Sequence, residues 1–256
     1  MYFNMKISVI TVCYNSAETI GHTLRSVREQ TYENIEHIVV DGGSTDNTLE
    51  VVAAEGKHVA NLVSEKDNGI YDAMNKGIAL SSGEVIGFIN ADDFYASPNV
   101  LKDIAKVFEK DGLDSCFGDL CYVSQSDPTR IVRYWRSKNF ASGSFEAGWC
   151  PPHPTFFVRR SVYRRLGGFD LSFKIAADFE LMARYLEVAG ITSCYIPRVI
   201  VKMRLGGTTN RNLTNIVKQN SEIRQALRKL GLKFSLAKFL LPKLMSRAMQ
   251  FIRRPA

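Results

Sequence analysis

The chain has 256 residues, 45% of them hydrophobic and 23% charged, which suits one large α/β domain or two small ones around a sizeable core. Its five cysteines (Cys13, Cys116, Cys121, Cys150, Cys194) are scattered with no C-x-x-C pair, which excludes a zinc ribbon or a disulfide framework and fits reduced thiols in a cytosol. The net charge of +7 is unevenly held: from Arg211 onward there are eleven Lys/Arg and one acid, Glu222, leaving 22 basic and 25 acidic residues upstream.

The opening MYFNMKISVITVC lacks the charged start and long apolar run of a secretory leader, and Met5 is as good a start as Met1. No stretch reaches the ~18 uninterrupted apolar residues of a membrane span.

Lys6–Cys13 is a β-branched run and predicts a buried parallel strand. Ser16 is expected to cap a helix reaching about Gln30, with Ile20, Leu24 and Val27 at helical spacing. Ile35–Val40 predicts the second strand, Gly42-Gly43-Ser44 a tight turn, and Asp46 or Thr45 the cap of a short helix through Ala54. A third strand over Val59–Val63, a helix from Tyr71 to Leu80, a fourth strand over Glu84–Ile89 and a helix over Pro98–Glu109 follow. Strands and helices alternating in this way predict a doubly wound α/β sheet, mostly parallel. Beyond Gly112 short strands are expected at Ser115–Asp119, Tyr122–Val123, Ile131–Trp135 and Thr155–Val158. Helical turns are expected over Arg159–Leu166 and Asp178–Val188, a strand over Val199–Leu205, and a flexible loop over Gly206–Thr209.

Two apolar runs end in carboxylates. IEHIVVDGGSTD leaves Asp41 and Asp46, and FINADD leaves Asp92 and Asp93, at strand ends where open α/β sheets bind ligands. Such carboxylates suit Mg²⁺ or Mn²⁺ with a phosphorylated ligand. No G-x-G-x-x-G follows the first strand and no P-loop lysine is present, which argues against dinucleotide and P-loop readings. The run DNGIYDAMNKG packs Asp72, Asn75 and Lys76 more densely than a capped surface helix requires. His153 sits among Pro151, Pro152 and Pro154, which fix its backbone. Asp178 follows the apolar Ile175-Ala176-Ala177 and reads either as a helix cap or as a general base.

In order, KISVITVCYN, VDGGSTD, SEKDNGIYDAMNKG, FINADD, PHPTFFVRR, FKIAADFELMAR and MRLGGTT resemble a family 2 glycosyltransferase of the GT-A fold, from Lys6 to Thr209. The DNGIYDAMNKG run resembles the branch that builds bacterial surface polysaccharides, such as colanic acid and O-antigen enzymes. The resemblance implies a donor half at 6–112 and an acceptor half at 113–210 in the same domain; the residue pattern beyond it reads as a basic helical tail at 211–256. It implies inverting transfer from a nucleotide-sugar, most commonly UDP-linked, to a hydroxyl. Asp41 and Asp72 are then expected near the nucleotide, with Thr11, Tyr14 and Asn15 after the first strand. Asp92 fills the second carboxylate of the family's D-x-D as the principal metal contact, with Asn90 at the first position and Asp93 or water completing the shell. Asp178 takes the general-base position, with Ala177 where the family has an acid; His153 is expected by the diphosphate, and Arg204 with the Gly206–Thr209 loop over it.

Leu213–Leu230 and Leu232–Ile252 read as two basic amphipathic helices broken at Gly231, suited to an anionic membrane surface. That fits a lipid-linked acceptor at the inner face of a bacterial plasma membrane. No aromatic or groove-like feature accompanies the charge, so nucleic acid is not expected. The alternatives are a nucleotidyltransferase and a non-catalytic sugar-nucleotide-binding scaffold.

Overall fold

The β-branched run Ile7–Cys13 forms β1, with every residue buried. It lies between β2 (Ile35–Asp41) and β4 (Val85–Phe88) and runs parallel to both. β3 (Val59–Ser64) adds to the far side of β2, also parallel, and its largely exposed residues mark it as the sheet edge. The crossovers are α1 (Ile20–Arg28), α2 (Thr48–Glu55) and α3 (Ile70–Leu80). Successive residues of β1 go to opposite faces: Ile10 and Val12 enter one core, Ile7 and Val9 another. This computed structural model describes residues 5–109, 112–205, 213–235, 239 and 249–251.

After β5 (Phe94–Tyr95) and α4 (Val100–Phe108), the second half extends the same sheet. β6 (Ser115–Val123) pairs with β7 (Ile131–Trp135) and β8 (Phe157–Arg159) antiparallel, and with β9 (Ser193–Arg204) parallel. β8 closes antiparallel onto β4, giving the order β3-β2-β1-β4-β8-β6-β9-β5. α5 (Arg160–Leu166) and α6 (Ala177–Ala183) follow β8, and α6 runs on into a wide π-type turn over Arg184–Val188.

Several expected bounds are corrected. β6 is one strand where two were expected, because Asp119 in its middle is buried and receives the Ser137 amide and the Tyr195 hydroxyl at 2.7 and 2.8 Å. β9 begins at Ser193; it tolerates Pro197 because its register with β6 shifts there, between the Phe117–Tyr195 and Asp119–Val199 pairs. Ser16 does not cap α1 through its hydroxyl; its carbonyl accepts the amides of Thr19 and Ile20, and the helix starts at Ile20.

α7 (Leu213–Lys229) is the first of the two tail helices. It is no free amphipath: Ile223, Ala226 and Leu227 are buried in the core that contains Phe179, Leu181 and Met182 of α6. Most of the second expected helix and the whole Gly206–Thr209 loop lie outside the described residues. Among the described residues no helix is long and apolar enough to cross a membrane.

Candidate active site

β1, β2 and β4 end at one edge of the sheet, and most of the expected site residues follow from those ends. Asp41, the last residue of β2, has no accessible surface. Its Oδ2 accepts the amides of Gly43 and Ser44 at 3.2 and 3.0 Å and the Ser64 hydroxyl at 2.7 Å. Its Oδ1 accepts the Ser44 hydroxyl. Burial pushes this carboxyl up, but the Ser44 and Ser64 hydroxyls and the Ser44 amide hold it below the ordinary range. Asp41 thus shapes the β2–α2 loop from within. A Cβ on Gly42 would lie 2.5 Å from Asp67 Oδ2, so a side chain there would displace the Asp67 carboxylate.

Asn15 adopts a left-handed φ of 48° and joins the two loops: its Oδ1 accepts the Thr45 amide at 2.8 Å and its own amide donates to Ser44 Oγ at 2.8 Å. Beside it, Tyr14 is 61% exposed, an aromatic face at the loop surface. Thr11 is not brought to this edge. It is fully buried two residues inside β1, and its hydroxyl meets His37 Nε2 at 2.9 Å. Asp72, in the first turn of α3, accepts the Asn68 amide at 2.9 Å and borders an open cleft with Tyr71, Leu171 and Lys174.

At the end of β4, Asn90, Asp92 and Asp93 form a turn in which the Asp93 amide donates to the Asn90 carbonyl at 3.0 Å. Asp92 is half-buried. Asp93, expected as a metal contact, has no accessible surface; it receives the Asn90 side-chain amide at 3.2 Å, and its Oδ1 has no partner. Burial, then the charge of Asp92, pushes the Asp93 carboxyl well above the usual range. Among the described residues no group of three His, Cys, Asp or Glu is placed to hold a metal ion.

Arg204 is buried at the end of β9, against the Asn90–Asp93 turn. Its guanidinium donates to the Asp92 carbonyl at 2.6 Å, meets His22 Nδ1 at 2.5 Å and stacks 5.1 Å from the Phe94 ring centre. Arg204 therefore ties β9 to the Asn90–Asp93 turn.

Asp178 stands in the first turn of α6, half-buried. It is not the cap, which is Ala176. Its Oδ1 accepts the Tyr71 hydroxyl at 3.2 Å and the Phe179 amide at 2.8 Å. His153 lies in a 3-10 turn, His153–Thr155, with its ring 5.4 Å from the rings of both Phe88 and Phe169. Burial lowers its affinity for a proton, against the pull of the Asp178 charge, so the imidazole is neutral at pH 7. Since Phe88 ends β4, the His153 ring packs against the strand that leads into Asp92.

A family model, glycosyl transferase family 2, matches residues 8–169, more than half of the chain. The chain belongs to glycosyl transferase family 2. An uncharacterized glycosyltransferase of Mycobacterium tuberculosis is 35% identical over 180 residues, covering 70% of this chain and 68% of that protein. A PGL/p-HBAD biosynthesis glycosyltransferase of Mycobacterium bovis is 27% identical over 216 residues, covering 79% and 78%. Among solved structures, S. aureus TarS 1-349 in complex with UDP-GlcNAc superposes with a TM-score of 0.70 at 19% identity, over 94% of this chain and 73% of that one. The mannosyltransferase PcManGT of Pyrobaculum calidifontis, solved with GDP-Man and Mn²⁺, gives 0.65 at 21% identity, over 96% and 70%. The family 2 fold is thus GT-A, and the family is one of glycosyltransferases, which displaces the nucleotidyltransferase alternative.

Sequence reasoning missed Tyr71 and Glu222. Tyr71 sits in a motif whose acidic and amide residues drew the attention, and its partner Asp178 is 107 positions away. Glu222 carried a signal, as the one acid in a tail of eleven basic residues.

Proposed function

We propose that this family 2 glycosyltransferase inverts the anomeric centre as it moves a sugar from a nucleotide donor, UDP-linked, to a hydroxyl of a lipid-linked saccharide in bacterial surface-polysaccharide assembly. The observation that carries the reading is Asp178, a half-buried carboxylate fixed by Tyr71 beside a neutral His153. Asp178 takes the proton of the acceptor hydroxyl, whose oxygen attacks the anomeric carbon from the face opposite the nucleotide. The carbon–oxygen bond to the diphosphate breaks, and UDP leaves with the electron pair. Tyr14 offers its exposed ring to the base, and Asp41, through the loop it holds, shapes the nucleotide site.

The half-buried Asp92, with no three-residue cluster around it among the described residues, fits a divalent cation that shares its shell with donor phosphates better than one caged by protein. When bound, Mn²⁺ or Mg²⁺ would supply charge neutralisation on the departing diphosphate. We assign the metal contact to Asp92 and leave buried Asp93 as a support for the turn. The TarS complex with UDP-GlcNAc supports a nucleotide-sugar donor, and the PcManGT complex with GDP-Man and Mn²⁺ supports a donor bound with a cation.

The exposed Lys218, Arg224 and Arg228 of α7 support association with the anionic inner face of a plasma membrane, where a lipid-linked acceptor resides. Calorimetry with UDP, GDP and dTDP, with and without Mn²⁺, tests the donor reading. The expected result is UDP binding that depends on Mn²⁺; binding of none of the three overturns it.

A further inference from the structure

The segment from Gly167 to Ala176 joins α5 to α6 without helix or strand, yet it is tied along its length. The Tyr185 hydroxyl donates to the Gly167 carbonyl at 2.5 Å and Arg184 to the Gly168 carbonyl at 2.7 Å. Asn75 clamps Phe169 through its amide at 2.8 Å and its carbonyl at 2.9 Å. At the C-terminal end, Glu222 of α7 reaches across 46 positions. Its Oε2 accepts the consecutive amides of Lys174, Ile175 and Ala176 at 3.0, 2.8 and 3.0 Å. Three successive N–H groups turned the same way form a concavity for an anion, and here the anion comes from the protein itself.

Asp178 is two residues beyond this nest. The single proton of the Tyr71 hydroxyl is shared between Asp178 Oδ1 at 3.2 Å and the Ile175 carbonyl at 2.9 Å, inside the nest. Any shift of residues 174–176 therefore moves Asp178 and its hydroxyl partner together. The base of Glu222 is itself fixed, because its neighbour Ile223 and then Ala226 and Leu227 are buried in the core shared with α6.

We propose that Glu222 is a positioning residue for Asp178, which makes the C-terminal helix α7 part of the catalytic apparatus. The inference rests on the reading of Asp178 as general base. A base displaced by about 1 Å loses on the order of 10²-fold in rate.

The test uses the full-length chain with Glu222→Ala, Glu222→Gln and Asp178→Asn. The probes are UDP-N-acetylglucosamine and GDP-mannose with Mn²⁺, read as release of the nucleoside diphosphate, with water or a hydroxyl as acceptor. Rates are expressed per donor-binding site counted by calorimetry, so that loss of folded protein does not register. Glu222→Ala is expected to lower kcat by about 10²-fold with KM for the donor changed less than about twofold. Glu222→Gln keeps an accepting oxygen and is expected to recover most of that loss. Deuterium exchange at the amides of Lys174, Ile175 and Ala176 is expected to rise in Glu222→Ala. An unchanged kcat per site in Glu222→Ala overturns the proposal, as does an equal loss of kcat per site in Glu222→Gln and Glu222→Ala. Full turnover by Asp178→Asn instead removes the base reading on which the proposal stands; if the unaltered enzyme releases nucleotide from neither donor, unchanged exchange at the Lys174, Ile175 and Ala176 amides in Glu222→Ala overturns the proposal. An inactive Asp178→Asn beside an unimpaired Glu222→Ala removes the role of Glu222 alone.

Discussion

Asp41→Asn is the substitution whose cost the structure defines best. Both oxygens of Asp41 accept: Oδ2 from the Gly43 and Ser44 amides and the Ser64 hydroxyl, Oδ1 from the Ser44 hydroxyl. The amide that loses least puts its NH₂ at the Oδ1 position, where the Ser44 hydroxyl turns round to accept, and keeps an oxygen toward the backbone donors. Each remaining bond falls from charge-assisted to neutral, a loss of about 1 kcal/mol apiece, or ~2–3 kcal/mol in total. In a chain of this size that lowers Tm by about 4–12 °C. The carboxyl is held below its ordinary pKa, so its contribution is fully present above the unfolded value of ~3.9 and is lost as pH falls through the folded value. The Tm gap between the unaltered protein and Asp41→Asn is therefore expected to be widest at pH 6–7 and to close below about pH 4. A gap that stays constant on acidification, or that is absent at pH 7, refutes the reasoning. Glu36→Gln provides the control, since Glu36 near the start of β2 receives the Ser8 hydroxyl at 2.5 Å and the Ser82 amide at 2.8 Å. It is expected to cost comparable stability and leave UDP binding intact, whereas Asp41→Asn weakens both.

Asp92→Ala is expected to weaken UDP binding in Mn²⁺ by at least about tenfold and to abolish the effect of EDTA; equal affinity with and without EDTA in the unaltered protein removes the metal role. Replacing Lys218, Arg224 and Arg228 together by Gln is expected to reduce sedimentation with phosphatidylserine vesicles, by about 1 kcal/mol per charge, without changing Tm by more than a few degrees. Full retention on the vesicles assigns membrane binding elsewhere. Deleting the chain from Leu213 is the wrong test, since it removes Ile223 and Leu227 from the core at about 1.5–3 kcal/mol each.

The first half was legible because strands buried on both faces read as unbroken apolar runs, as Ile7–Cys13 and Ile35–Asp41 do. The second half was less so. A buried aspartate such as Asp119 breaks an apolar run on paper, yet in the sheet it is satisfied by Tyr195 and Ser137 from other segments. The site followed the same division. Positions after strand ends, such as Tyr14, Asp41 and Asp92, follow from the strands. Thr11 does not, because one strand position decides whether a side chain meets the ligand edge or, as here, His37 on the neighbouring strand. Arg204 was read by its charge, but its partners Asp92 and His22 lie 112 and 182 positions away.

The density of polar residues in Asp67–Gly77 now has an internal account. Lys76 binds Glu65 at 2.8 Å, Asp72 receives Asn68, Asn75 clamps Phe169 and Tyr71 reaches Ile175 and Asp178. One face of α3 therefore secures the loop that precedes it, and the other holds the segment that leads into α6. A helix with these duties needs each polar residue at a fixed turn, which is why the run is more specific than the short acidic motifs at the strand ends. It also explains why the sheet alone does not define the site: the strands set Asp41 and Asp92, while α3 from one side and Glu222 of α7 from the other set Asp178. The two halves, paired along β4 and β8 and again along β5 and β9, are thereby tied a third time, through Tyr71 and Asp178.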